Sequence, residues 1–278
     1  MSEPTKQKNV VLRRVLVAVW GIPLLIVPTI LGGWYFAGLF SIIAAIAVFE
    51  YVSMLNEMGT EVPRLLIAML AGIFVLLVQF HQELVFEFIL VCMILIPIVL
   101  LRGGTSSKVL QIFGTLGGFL YIAGSIAQLC ILRKSVLAPT EWWWGGVFII
   151  YLFSTIWICD SCAYFGGKRF GKHKLASTIS PGKTIEGAIF GLLGALVWSL
   201  VGIAVLGDKL PVLFLVLTAL MGGTVGQAGD LIESAIKRNA GVKDSGHLLP
   251  EHGGVFDRFD SLLLTTPAVY LLTVWFLS

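Results

Sequence analysis

Charged side chains are scarce in this chain. Asp, Glu, Lys and Arg make up 13% of its 278 residues, about half the share found in soluble globular domains. With 57% hydrophobic residues and a mean hydropathy of +0.94, that scarcity excludes a soluble globular fold. Cysteine is rarer still. The 4 cysteines, Cys92, Cys130, Cys159 and Cys162, all lie in apolar runs, which excludes a disulfide framework. Cys159-x-x-Cys162 has neither a second pair nor a nearby His to complete a zinc site, so packing is the role expected of it. The weak alternating segments of a membrane β-barrel are missing too, as are internal repeats and low-complexity tracts.

What remains is a succession of apolar runs, each near the roughly 20 residues that cross a hydrocarbon core about 30 Å thick. We read about nine helical spans, at residues 11–31, 34–56, 64–80, 83–101, 109–131, 142–165, 183–206, 210–236 and 258–277. The expected fold class is therefore all-α, a polytopic membrane protein. Residues 1–101 and 102–165 are expected to form N-terminal structural and middle transmembrane helices, and 166–278 a catalytic transmembrane region with cytoplasmic loops. Lys6, Lys8, Arg13 and Arg14 precede an apolar run that is long and lacks a small-x-small cleavage site, so it is expected to be a retained first span. With the N-terminus inside, every Lys and Arg except Arg133, Lys134 and Lys209 falls on the cytoplasmic side, as short cytoplasmic loops require. The Trp142-Trp143-Trp144 run then marks the outer interface.

Against this background the stretch from Asp230 to Asp260 stands out, because it alone in the C-terminal half combines Asp, Glu, Lys, Arg and His between two apolar runs. Ionisable groups beside hydrocarbon cost several kcal/mol unless paired, solvated or bound to a cation, so they read as functional. Gly226, Asp230, Glu233 and Lys237 follow +4, +3, +4 spacing and draw one polar stripe down a helix. Asp257 and Asp260 share a face of the next helix. Three carboxylates brought together, Asp230, Asp257 and Asp260, would repel and take up protons, whereas a hard divalent cation with oxygen ligands would hold them ionised. Glu233 reads as an outer partner or as an ion pair with Lys237 one turn on.

A second polar stretch, Gly166 to Lys183, is the most basic loop of the chain. It is in part a topology signal, yet its glycines, Ser177, Thr178 and Ser180 also supply donors suited to phosphates. Ser180 is expected as the N-cap and Pro181 as the first residue of the seventh helix. Such a helix N-terminus binds anions, with Lys183 and Thr184 beside it. Gly182-Lys183-Thr184 resembles the tail of a P-loop, but the earlier glycine is missing. Asp160, near the cytoplasmic end of the sixth span, is either paired locally or part of the site. Glu50, Glu57, Glu83 and Glu87 sit near inferred span ends and are expected to reach the interface. The GxxxG pairs Gly187/Gly191 and Gly222/Gly226 serve internal packing first and a homodimer face second.

Two blocks carry a family resemblance. Ser234-x-Ile236-Lys237-Arg238 followed by Lys243-Asp244-x-Gly246-x-x-Leu249-Pro250-x-His252-Gly253-Gly254-Val255-x-Asp257-Arg258-Phe259-Asp260 resembles the signature of the CTP:phosphatidate cytidylyltransferases of bacterial type. Upstream, Ser180-Pro181-x-Lys183-Thr184-x-Glu186-Gly187 is similar to a second block of that family, and the two cover about 80 residues in order. The resemblance implies transfer of CMP from CTP to phosphatidate, yielding CDP-diacylglycerol and pyrophosphate, with Mg2+ as cofactor and a second cation in the same carboxylate site left open. It implies Asp257, Asp260, Lys237 and Arg258 as catalytic residues, with Asp257 and Asp260 as metal ligands, and Ser180, Lys183, Thr184, Arg238, Lys243 and His252 as binders of substrate phosphates; the polar stripe adds Asp230 to the catalytic residues and metal ligands, and Asp160 joins the substrate binders by its place at the end of the sixth span. The implied setting is a bacterial inner membrane with the site open to the cytoplasm and no nucleic-acid partner. A CTP-dependent lipid-alcohol kinase and a secondary transporter with an intramembrane acidic site are the alternatives.

Overall fold

A computed structural model describes residues 19–101, 108–136, 142–248 and 253–277. Helices dominate. They are α1 (Val19–Leu31), α2 (Gly33–Glu57), α3 (Arg64–Phe80), α4 (Val85–Leu101), α5 (Lys108–Phe119), α6 (Ser125–Ser135), α7 (Trp142–Phe170), α8 (Ile185–Leu206), α9 (Val212–Asn239) and α10 (Phe256–Leu277). A π-helical turn, Leu120–Gly124, joins α5 to α6 as one continuous span. Among the described residues, 7 helices are long and apolar enough to cross a bilayer, while α1 and α3 are shorter. The protein is an all-α polytopic membrane protein, with the start of the first expected span outside the described residues.

The outer surface shows why. Phe86, Leu90 and Ile94 of α4 and Leu193, Val197 and Leu200 of α8 are large, apolar and exposed, so the outside is as hydrocarbon-like as the inside. One buried apolar cluster runs through Phe36, Phe40, Phe148, Phe214 and Phe256 and takes in helices from α2 to α10. It thus crosses all three stretches distinguished from the sequence. Since lipid tails compete equally for apolar side chains, close backbone approach through small residues must hold such helices together. A Cβ on Gly191 would meet Ala163 and Cys159 of α7 at 3.0 Å, and one on Gly194 would meet Cys162 Sγ at 2.5 Å. Gly222 faces Thr155, and Gly226 and Gly229 face Ser261, Thr265 and the Asp260 carbonyl. The GxxxG glycines are therefore occupied within the chain.

Between α7 and α8 the chain forms an antiparallel hairpin, β1 (Lys174–Ala176) and β2 (Ser180–Thr184), pairing Lys174 with Thr184 and Ala176 with Ser180. This corrects the expected helix start. Ser180 and Pro181 lie in β2, where a proline is tolerated on an edge strand; α8 begins only once the ladder ends. Its N-cap is Thr184, whose Oγ1 accepts a hydrogen bond from Gly187 N at 3.1 Å. Glu186 closes the hairpin base, accepting from Lys172 N at 3.0 Å and lying 2.6 Å from His173 Nδ1.

Candidate functional site

A cavity of about 1060 Å³ opens where α7, the hairpin, α8, α9 and α10 converge beside α1 and α2. One part of its wall is hydrocarbon: Leu24 and Leu25 of α1, Ile43 of α2, Phe153 and Ile156 of α7. The other part is polar, formed by Asp160, Ser180, Lys183, Thr184, Asp230, Glu233, Lys237, Asp244, Asp257, Arg258 and Asp260.

Within the polar part, Asp230, Glu233 and Asp260 each present a carboxylate oxygen, and these oxygens lie within 4.8 Å of one another. The sequence accounts for the approach in two steps. Asp230 and Glu233 are three apart on α9 and so share its inner face. Gly229 then lets α10 come in, since a Cβ there would stand 2.7 Å from the Asp260 carbonyl oxygen. Glu233 is 1% exposed, its Oε1 has no hydrogen-bond partner among the described residues, and its Oε2 lies 2.7 Å from Lys237 Nζ. A buried carboxylate with an oxygen within 4.8 Å of oxygens from two further carboxylates fits a hard cation that accepts oxygen ligands. Lys183 Nζ stands 2.5 Å from Asp230 Oδ2, and Ser261 N donates to Asp260 Oδ1 at 2.6 Å.

Asp257 is placed differently from the expectation. Its Oδ2 accepts from Gly254 N at 2.8 Å and from both Ser245 N and Ser245 Oγ at 3.0 Å, and its Oδ1 lies 2.7 Å from Lys237 Nζ. With these donors in place its Oδ2 is committed to the signature loop and its Oδ1 to Lys237 of α9, and Glu233 takes the third place in the carboxylate cluster. Lys237 bridges the two, at 2.7 Å from each carboxylate.

The remaining expected residues divide. Arg258 and Asp160 line the cavity and are exposed. Ser180 and Thr184 line it from β2. Arg238 is turned to the loops, donating to Ile179 O at 3.3 Å and Val242 O at 3.0 Å, and neither it nor exposed Lys243 belongs to the cavity wall. His252 lies outside the described residues. Two acids were not singled out from the sequence as site groups. Glu233 carried its signal in the Asp230-x-x-Glu233 spacing. Glu50 of α2 was read as interfacial, yet it is 6% exposed and accepts hydrogen bonds from the signature loop. A carboxylate between Ala47-Val48-Phe49 and Tyr51-Val52 was signal enough by the cost of burying charge beside lipid.

Comparison with known proteins points the same way as the motif blocks. The model of a family described as Cytidylyltransferase family matches residues 12–276. A Bacillus subtilis protein named phosphatidate cytidylyltransferase is 42% identical over 159 residues, 57% of this chain and 59% of that protein. Proteins of the same name from Staphylococcus haemolyticus and Staphylococcus aureus are 44% and 45% identical over 127 residues, 46% of this chain and 49% of each relative. The chain thus spans between about half and three fifths of the length of these relatives.

Proposed function

Because this chain belongs to the cytidylyltransferase family, we propose that it transfers CMP from CTP to phosphatidate, giving CDP-diacylglycerol and pyrophosphate. The observation that carries this reading is that one cavity is lined both by a carboxylate cluster with lysines and by hydrocarbon side chains. A nucleotide triphosphate suits the first and acyl chains the second. The names of the relatives support the same substrates.

In this reading a phosphatidate oxygen attacks the α-phosphorus of CTP, a bond forms between them, and the bond to the β-phosphate oxygen breaks. Phosphatidate is already ionised, so no general base is needed; alignment and neutralisation of charge are what the protein must supply. Asp230, Glu233 and Asp260 would hold Mg2+, which when bound supplies charge neutralisation on the phosphate oxygens. Lys183, at the mouth of α8, and Arg258 on α10 offer charge-assisted donors to the remaining oxygens. Lys237 keeps Glu233 and Asp257 in register rather than pointing free into the cavity. The Lys and Arg asymmetry supports a cytoplasmic position for the hairpin and the signature loop and an inside N-terminus, and the bacterial relatives support residence in a bacterial inner membrane.

The test is direct. Protein purified in detergent is incubated with labelled CTP, phosphatidate and Mg2+, and CDP-diacylglycerol and pyrophosphate are the expected products. Release of CDP with a newly phosphorylated lipid alcohol would replace this reading by the kinase, and absence of any CTP turnover would overturn it.

A further inference from the structure

From the N-terminal half, α2 sends one carboxylate into the site region. Glu50 Oε1 accepts from Val255 N at 3.0 Å, and Oε2 accepts from Phe256 N at 2.8 Å and lies 3.1 Å from Ser245 Oγ, whose single proton is shared between Glu50 and Asp257. Val255 and Phe256 stand at the start of α10, where the first N–H groups have no partner inside the helix. Glu50 satisfies two of them from another helix. Its negative charge lies at the positive end of the α10 dipole, the favourable sign.

A second, independent feature points to the same contact. A Cβ on Gly246 would fall 2.5 Å from Glu50 Oε1, and a Cβ on Gly254 would fall 2.4 Å from Glu50 Oε2. Neither glycine has a positive φ, so backbone freedom does not explain them. At Gly246 the Glu50 carboxylate alone occupies the space a side chain would need, and at Gly254 it does so together with Ser245 Oγ.

From Glu50 the polar contacts continue without a break. Ser245 Oγ lies 3.1 Å from Glu50 Oε2 and 3.0 Å from Asp257 Oδ2, Asp257 Oδ1 is 2.7 Å from Lys237, and Lys237 is 2.7 Å from Glu233 of the carboxylate cluster. Asp260 follows Phe256 by one turn of α10, so the axial position of that helix decides where Asp260 meets Asp230 and Glu233. We propose that Glu50 is a positioning residue of the site: it fixes the start of α10 and the signature loop, and thereby the geometry of the Asp230–Glu233–Asp260 cluster. This rests on the cation reading given under the proposed function.

The experiment separates positioning from simple bracing. Wild-type protein and Glu50→Gln are purified in detergent and compared by Mn2+ binding, read from the free-Mn2+ paramagnetic resonance signal, by thermal unfolding, and by the Mg2+ dependence of CDP-diacylglycerol synthesis. Gln keeps the shape but offers a single acceptor oxygen, so one N–H at the start of α10 faces an amide donor. The expected result is at least a fivefold rise in half-saturating Mn2+ and a fall in kcat on the order of a hundredfold, as about 1 Å of misplacement produces. Glu50→Asp, which retains both oxygens, recovers part of each. A Glu50→Gln protein with wild-type Mn2+ affinity overturns the proposal, whether its rate is normal or falls only in proportion to lost folded protein. Should Glu50→Gln not be recovered folded, Gly246→Ala displaces the carboxylate while keeping its charge; the same Mn2+ shift is expected, and unchanged affinity overturns the proposal. A wild-type protein that binds Mn2+ but makes no CDP-diacylglycerol refutes the assigned reaction alone, because the Mn2+ comparison still reads Glu50. One that binds no Mn2+ refutes the cation site and this inference together.

Discussion

The two aspartates of the signature, Asp257 and Asp260, are three residues apart, yet their surroundings give them opposite failure modes. Asp257→Asn keeps the side-chain volume but removes the charge that pairs with Lys237 at 2.7 Å and accepts from Gly254 N, Ser245 N and Ser245 Oγ. Both partners are largely buried, with side chains 4% and 12% exposed, so water does not replace the lost interactions. Breaking a buried ion pair by removing one partner costs about 3–5 kcal/mol. Lys237 retains Glu233, which places this variant at the lower end of that range. In a chain of this size each kcal/mol moves Tm by about 2–4 °C, so the midpoint should fall by roughly 10 °C. Asp260→Asn instead removes an oxygen from the carboxylate cluster and leaves the loop bonds intact. Its Tm should change little, whereas turnover should fall about a hundredfold for a loss near 2.7 kcal/mol, with the half-saturating Mg2+ raised. A thiol-reactive dye that reports exposure of buried Cys92, Cys130 and Cys159 follows unfolding, and a Mg2+ titration of the initial rate follows the site. An Asp257→Asn protein as stable as wild type but altered in Mg2+ dependence would refute the division of roles. So would an Asp260→Asn protein with a normal rate.

Three further outcomes can be measured. Lys183→Met removes the cation 2.5 Å from Asp230; kcat/KM should fall at least about tenfold, or 1.4 kcal/mol, while the half-saturating Mg2+ falls because the cluster has lost a competing charge. Both changes are read from one rate titration, and a rise in half-saturating Mg2+ would contradict the placement of Lys183. Gly191→Leu should overfill the seam where Ala163 and Cys159 stand at 3.0 Å, lowering stability by about 1–3 kcal/mol or more without changing the oligomeric state seen by light scattering in detergent. Single cysteines at exposed Ser177 and His247, in a cysteine-free background, should react with an impermeant thiol reagent only from the cytoplasmic face of membrane vesicles. Ser245 is unsuitable for this purpose, being 8% exposed and bonded to Glu50 and Asp257.

Hydropathy and spacing are local properties, and what they encode was legible in the sequence. The all-α membrane class follows from apolar runs that only a helix can carry through lipid, since every backbone group must be bonded within the segment. The inward stripe of Gly226, Asp230, Glu233 and Lys237 follows from the helical period alone. The motif blocks picked out residues that line the cavity without any coordinates. Which acids meet is a different kind of fact. Asp257 and Asp260 share a face, but the approach of α9 to α10 through Gly229 sends Asp260 to Asp230 and Glu233, while the loop glycines and Ser245 capture Asp257. Strand pairing with Lys174–Ala176 took Ser180 and Pro181 out of the helix, because a cap preference of about 1 kcal/mol yields to a closed hairpin ladder. Glu50 lies far from the signature loop in sequence and bonds to Val255 and Phe256, a pairing that no local pattern encodes. Tertiary packing decided it, through two glycines small enough to leave room for a carboxylate.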